Sequence, residues 1–179
     1  RGFGDCKDKA SLMFAMLEEA GIPAHLVLVR TRGNGAVAEA PASLAVFDHA
    51  IAYVPGLDLY LDGTAEHSGL RELPGGDQGV MVLHVHAGGA ELRRTPVHPA
   101  SANLRDRTYR FTLAADGGAA IEATDVIHGA EAAGIRSVYE AEGTREERLR
   151  RTLRAAFPGI ELERFAFTGL DDREVPPRI

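Results

Sequence analysis

The sequence predicts an α+β protein of two small domains. A helical pattern near the start is followed by several short strand patterns, an order typical of α+β folds. A proline-containing stretch from Thr95 to Ala102 then precedes a second group of strands and helices. We therefore expect a first domain over residues 1–95 and a small, β-rich α+β domain over residues 96–179.

The first element is a helix from Asp5 to Ala20. Asp5 can cap its N-terminus, and Asp8, three residues later, completes a capping box with Asp in place of Glu. Apolar residues then occupy nearly the whole circumference, which predicts a buried helix. Gly21 and Pro23 end it, because glycine adopts the left-handed conformation and proline cannot continue a helix.

Strand patterns follow in the first domain, each a short apolar run bounded by turn-forming residues. Pro55-Gly56 and Gly88-Gly89 mark turns between two pairs of these strands. The predicted strands are residues 24–32, 44–54, 57–62, 80–86 and 90–94.

The second half of the chain predicts a hairpin, two helices and a final strand. Two strand patterns, residues 108–114 and 119–127, flank Asp116-Gly117-Gly118, which is a hairpin turn signal. The helices are predicted over residues 129–141 and 144–157, and the final strand over residues 160–167.

Composition excludes several classes of function. The 179 residues are 45% hydrophobic and 26% charged, which are ordinary values for a globular protein. The 20 basic and 26 acidic side chains give a net charge of −6, which argues against a nucleic-acid partner, since phosphates require a basic face. No apolar run approaches the ~20 residues of a membrane-spanning helix. The single cysteine excludes an internal disulfide.

Cys6 is the first candidate for chemistry. It occupies the first position of the predicted helix, where unpaired backbone N–H groups and the helix dipole stabilise a thiolate. The same N–H groups can face the oxyanion of a tetrahedral intermediate. Its position leaves two interpretations open, because a free cysteine is also a small hydrophobic residue that is commonly buried.

A nucleophilic thiol needs a base and a group that orients the base, and His49 and Asp62 are candidates. A tight turn at Pro55-Gly56 would place His49 directly opposite Asp62 on one face of a hairpin. Their Cβ atoms would then be about 5 Å apart, close enough for the carboxylate to hold the imidazole. Without Cys6, His49 would instead be interpreted as an ordinary half-buried strand residue.

His84 and His86 suggest a different type of site. They share one face of a predicted strand, and two imidazoles could begin a zinc site that His67 or His98 completes. No cysteine pair or acidic third ligand has metal-ligand spacing, so zinc is the weaker hypothesis and we expect no cofactor.

Three segments resemble those of one known family. Residues 4–9 (GDCKDK), followed by the apolar helix and residues 21–24 (GIPA), resemble the nucleophile segment of the transglutaminase-like superfamily. Residues 47–50 (FDHA) resemble its histidine strand, and residues 61–64 (LDGT) resemble its aspartate motif. The order Cys, His, Asp is also the same.

The resemblance implies a papain-like architecture, in which the cysteine helix packs on an antiparallel sheet that carries the histidine and the aspartate. It implies Cys6 as nucleophile, His49 as general base and acid, and Asp62 as the residue that orients His49. It does not imply calcium. The similarity extends to a bacterial subfamily with flanking domains of unknown function, so an upstream domain of the same polypeptide is expected.

We therefore expect cysteine-dependent acyl transfer or hydrolysis on a peptide or amide substrate, through a thioester intermediate. The fold does not choose among peptidase, amidase and cross-linking transglutaminase. The loop Gly33–Ser43 precedes the histidine strand, and we expect it to form a wall of the substrate groove. The alternative is a non-catalytic protein-interaction module that retains the triad from its ancestry.

Overall fold

The structure, a computed structural model, describes residues 4–37 and 43–179. The chain divides into two compact units, Arg1–His98 and Pro99–Ile179. Both contain α-helix and antiparallel strands, so the predicted α+β class is confirmed. The predicted wall of the substrate groove, Gly33–Ser43, falls partly on residues 38–42, which lie outside the described residues. Within the described ranges, no helix is long and apolar enough to cross a membrane.

In the first unit, one helix packs on a five-stranded antiparallel sheet. The strand order is β3-β2-β1-β4-β5, so the strand that follows the helix lies in the middle. The elements are α1 (Cys6–Glu19), β1 (His25–Val29), β2 (His49–Val54), β3 (Leu59–Leu61), β4 (Met81–His86) and β5 (Gly89–Arg94). The five strands predicted here are therefore confirmed, four with shorter bounds and β5 with one more residue.

The core of this unit lies on one face of the sheet. Successive side chains of a strand point to opposite faces, so Ile51 and Tyr53 of β2 share a face. They pack against the buried valines of β1 and β4 and against Leu73. His49 lies two residues before Ile51, so it belongs to the same face and stands where this core meets the start of β2.

The helix α1 is less buried than its sequence predicts. It packs against β1 and β2, and its buried residue is Ala10. Leu12 and Met16 are 63% and 64% exposed within the described structure. The prediction of a helix buried on all sides is wrong, because the sheet covers one side of α1 while its apolar residues extend around the circumference.

The second unit contains a two-stranded antiparallel hairpin and two helices. Its elements are β6 (Arg105–Leu113), β7 (Ala119–Ile127), α2 (Ala130–Val138) and α3 (Arg145–Ala156). The hairpin and both helices agree with the sequence-based prediction.

The final strand predicted over residues 160–167 is wrong, because these residues form no strand in the structure. The C-terminus hydrogen bonds to the end of β7 instead. The N–H of Asp125 donates to the carbonyl of Ile179 over 3.0 Å, and the N–H of Ile127 donates to the carbonyl of Pro177 over 3.0 Å. The last residues of the chain therefore pair with this edge of β7.

Candidate active site

The N-terminus of α1 is held by the capping box that the sequence predicts. The Asp5 carboxylate accepts hydrogen bonds from the backbone N–H groups of Lys7 (2.8 Å) and Asp8 (3.2 Å). The Asp8 carboxylate accepts in return from the backbone N–H of Asp5 over 3.0 Å. The backbone N–H groups of Asp8 and Lys7 lower the pKa of Asp5. The cap fixes the first turn of the helix, where half-buried Cys6 is the first residue.

His49 is fixed at the start of β2 by the residue before it. The backbone N–H of Asp48 donates to the carbonyl of Val29 over 3.0 Å. The Asp48 carboxylate accepts hydrogen bonds from the backbone N–H of Thr31 and from the side-chain amide of Asn34, each over 2.9 Å. These bonds hold the backbone that carries the His49 imidazole.

Asp62 reaches His49 by a register that differs from the predicted one. The turn between β2 and β3 occupies Pro55–Asp58 rather than two residues, so Ala52 pairs with Leu61. The direct pairing predicted for His49 and Asp62 is therefore wrong by two residues. A shift of two residues preserves the face of every side chain, so Asp62 lies diagonally across from His49 on the same face.

The imidazole of His49 and the carboxylate of Asp62 are in contact. The His49 Nε2 atom lies 3.1 Å from Asp62 Oδ2, and the two side chains are only 14% and 4% exposed. Asp62 Oδ1 accepts from the backbone N–H (2.8 Å) and the hydroxyl (2.7 Å) of Thr64. Both oxygens of this carboxylate therefore have hydrogen-bond partners, which fixes its orientation.

These contacts shift the titration of both groups. The hydrogen bond with Asp62 raises the pKa of His49 from 6.5 to about 9; burial opposes the shift, and a hydrogen bond with Cys6 supports it. Burial favours the neutral form of Asp62, but the hydrogen bonds from His49 and Thr64 outweigh it and lower the pKa of Asp62. The imidazolium–carboxylate pair is therefore the favoured charge state.

The structure brings Cys6 to the same imidazole. Its side chain interacts with His49 and helps to raise the pKa of the imidazole, and Asp62 holds Nε2, which leaves Nδ1 as the ring nitrogen for the thiol. Gly63 permits this approach of α1, because a Cβ atom there would lie 3.2 Å from Lys9 Cβ and from Met13 Cε. The three residues singled out in the sequence are thus neighbours in the fold.

Asp77 is a fourth ionisable residue at this place, and the sequence analysis did not single it out. Its residue is only 3% exposed, and one of its oxygens lies within 4.8 Å of a carboxylate oxygen of Asp62 and a ring nitrogen of His49. Burial is the largest cause that raises the pKa of Asp77, to about 6, and a hydrogen bond with Asp62 acts in the same direction. In the sequence, an acidic residue after Gly75-Gly76 looks like an ordinary turn residue.

Among the described residues, His49, Asp62 and Asp77 form one group of three metal-ligating side chains whose ligand atoms all lie within 4.8 Å of one another. The His49–Asp62 contact and the Asp62–Asp77 hydrogen bond already pair these atoms. We therefore assign no metal to the group.

The structure gives no support to a zinc site at His84 and His86. His84 is fully buried, and its Nε2 atom lies 3.0 Å from the Tyr60 hydroxyl. Burial lowers the pKa of His84 to about 4, which keeps the ring neutral. His86 accepts a hydrogen bond at Nδ1 from the N–H of Gly88. In the described part of the chain, His84 and His86 form no group of three metal-ligating side chains whose ligand atoms all lie within 4.8 Å of one another.

The His49–Asp62 pair makes stability depend on pH. The pKa of His49 is about 9 in the folded protein and 6.5 in the unfolded chain, so its contribution is complete below pH 6.5 and is lost as pH rises through 9. The pKa values of His84 and Asp77 lie below this window and that of Tyr60, about 12, lies above it. We expect the free energy of unfolding to fall by about 2 kcal/mol as pH rises from 6.5 to about 9, as measured by urea denaturation.

The control for this prediction removes the carboxylate charge. Asp62→Asn should flatten the pH dependence, whereas Asp58→Asn, which changes the partner of the Tyr53 hydroxyl, should keep it. All variants are measured in the Cys6→Ser background, so that titration of the thiol does not contribute. An Asp62→Asn protein with the wild-type slope would contradict the assignment of this window to the pair.

One family comparison identifies part of the chain. Residues 1–58 match the family model of the transglutaminase-like superfamily. The match spans about a third of the 179 residues, includes Cys6 and His49, and ends before Asp62. The comparisons with curated proteins and with solved structures found no match.

Proposed function

We propose, from the membership of residues 1–58 in the transglutaminase-like superfamily, that this protein is an enzyme that hydrolyses a peptide or amide bond through a cysteine thioester. The superfamily indicates the broader class of cysteine-dependent acyltransferases and proteases. The observation that carries the finer proposal is that the His49 imidazole contacts Asp62 over 3.1 Å and interacts with Cys6 at the start of α1.

In the first half of the proposed reaction, Cys6 Sγ attacks the carbonyl carbon of the amide. His49 holds the proton given up by the thiol as an imidazolium before the attack, at the ring nitrogen that faces Cys6, and Asp62 stabilises this imidazolium. Asp5 occupies the N–H groups of Lys7 and Asp8. The N–H of Cys6 itself is therefore the donor that we assign to the developing oxyanion.

In the second half, the tetrahedral intermediate collapses and the carbon–nitrogen bond breaks. His49 gives its proton to the departing amine, and the acyl group remains on sulfur as a thioester. His49 then accepts a proton from a water molecule as the water attacks the thioester. The acyl group leaves as a carboxylic acid, and the Cys6 thiol is restored.

A test that needs no knowledge of the natural substrate uses 4-nitrophenyl acetate as an activated acyl donor. We expect a burst of 4-nitrophenolate, with acetyl transfer to Cys6 detected by mass spectrometry, followed by slower turnover. Because Cys6 is the single cysteine of the chain, a thioester on this protein can form at one position only. Adding an amine such as glycine methyl ester then measures whether water or the amine accepts the acyl group.

The matched variants for this test are Cys6→Ala and Cys6→Ser. Both should lose the burst, and any label that remains on lysine measures the background reaction. A wild-type protein that forms no acyl-cysteine would contradict the proposal and favour a non-catalytic interaction module. Transfer to the amine in preference to water would instead overturn hydrolysis and favour cross-linking.

A further inference from the structure

Asp77 is a buried acid that the reaction steps described above do not use. It lies in the short 3₁₀ turn Gly75–Asp77, between β3 and β4. Its backbone is anchored on both sides, since its N–H donates to the carbonyl of Pro74 over 2.9 Å and its carbonyl accepts from the Thr95 hydroxyl. The position of its carboxyl group is therefore set by the backbone and not by a mobile loop.

A carboxylate oxygen of Asp77 lies within 4.8 Å of one of Asp62, and a hydrogen bond between the two carboxyl groups is among the causes that raise the pKa of Asp77. Two ionised carboxylates have only acceptor atoms, so such a bond requires one proton between them. Burial raises the pKa of Asp77 to about 6, whereas the pKa of Asp62 is lowered, so Asp77 is the residue that holds the shared proton, and it does so below about pH 6. The charged groups that act on Asp77 are His49, Asp62 and Asp48.

The hydrogen bonds of Asp62 therefore come from three directions. Thr64 donates to Oδ1, His49 contacts Oδ2, and the carboxyl group of Asp77 is the third partner. The Asp62 side chain is 4% exposed, so water cannot readily replace a lost partner. A carboxylate that rotates would change the direction in which it holds the imidazole.

We propose that Asp77 is a positioning residue of the site: its carboxyl group fixes the orientation of Asp62 and, through Asp62, that of the His49 imidazole toward Cys6. This inference rests on the proposed function. Asp77 need not contact the substrate or the reacting atoms. Outer partners of this kind, which orient a carboxylate that in turn orients a histidine, typically affect function by about 10–100-fold in metal sites.

The test compares two substitutions of Asp77 with one of its neighbour. Asparagine can donate a hydrogen bond to Asp62 as the protonated acid does, whereas alanine cannot. We expect Asp77→Ala to slow the alkylation of Cys6 by iodoacetamide about tenfold at about pH 6, and Asp77→Asn to recover most of the rate. Gln78→Ala is the matched control, because Gln78 is buried in the same segment and bonds to Leu73 and His98 instead.

A second readout separates positioning from packing. The titration of the His49 imidazole, followed by NMR, should move from about 9 toward its ordinary value in Asp77→Ala and stay in place in Gln78→Ala. An Asp77→Asn protein as slow as Asp77→Ala, or a Gln78→Ala protein equally slow, would overturn the positioning role. So would an unmoved His49 titration in Asp77→Ala.

The outcome for His49→Ala distinguishes this proposal from the one on which it rests. If His49→Ala slows alkylation and Asp77→Ala does not, the positioning role fails while the proposed enzyme stands. If His49→Ala alkylates at the wild-type rate, the proposed function fails and the role of Asp77 fails with it.

Discussion

Replacing His49 by alanine is expected to lower the rate at which iodoacetamide alkylates Cys6 by about tenfold or more at about pH 6. His49, held as an imidazolium by Asp62, stabilises negative charge on the neighbouring Cys6 sulfur, and only the thiolate reacts. An ordinary cysteine forms its thiolate near pH ~8.5, so fast alkylation well below that pH indicates an activated thiol. Mass spectrometry reads the reaction directly, since the chain has one cysteine.

The control for this prediction is the same substitution at His86. This imidazole lies in the same unit, and its Nδ1 atom accepts from the N–H of Gly88 rather than contacting Cys6. His86→Ala should therefore keep the wild-type rate at every pH. A His49→Ala protein that alkylates like the wild type across the pH range would show that no imidazole activates Cys6, and the interaction-module hypothesis would be preferred.

The second large effect is expected from Arg136 in α2, which is 2% exposed. Its guanidinium donates to the carbonyls of Gly169, Arg173 and Val175 and so holds the C-terminal segment against α2. Hydrogen bonds from a charged donor contribute more than neutral ones, and a truncated arginine leaves their acceptors unpaired. We expect Arg136→Ala to lower the free energy of unfolding by about 3 kcal/mol, as measured by urea denaturation.

Arg148→Ala is the matched control in the same unit. Arg148 is exposed and donates to one carbonyl, that of Val138, so its loss should cost less than about 1 kcal/mol. Hydrogen exchange adds a local readout, since Arg136→Ala should reduce protection of the amides of Ile127 and Ile179, which bond across the C-terminal segment. Equal destabilisation by the two substitutions would contradict an anchoring role for Arg136.

Local features of the first unit could be predicted because neighbouring residues decide them. Asp5 and Asp8 form the capping box through hydrogen bonds between residues three positions apart, so the sequence alone predicts where α1 starts. The apolar runs predicted five strands, and the Gly88-Gly89 turn predicted the hairpin of β4 and β5. The order Cys6, His49, Asp62 indicated the resemblance, and the family model matches the segment of residues 1–58, which carries the first two of them.

The register set by the length of a turn, and the extent to which other segments bury a helix, could not be predicted in the same way. Four residues, Pro55–Asp58, make the turn between β2 and β3, so the register differs by two residues from that of a tight turn. His49 and Asp62 stayed on one face only because the difference is even. The apolar circumference of α1 predicted burial, but how much of a helix is covered depends on which segments pack against it.

The sequence by itself determined the types of the helices and strands other than the strand expected at residues 160–167, the capped helix that presents Cys6, and the identity of the residues proposed for chemistry. Only the tertiary structure decided that Asp62 holds His49 from a diagonal position and that Asp77 reaches the same carboxylate. The physical reason is separation along the chain. Propensity, capping and turn chemistry act over a few residues, whereas Asp62 and Asp77 come together through the packing of segments that no local pattern relates.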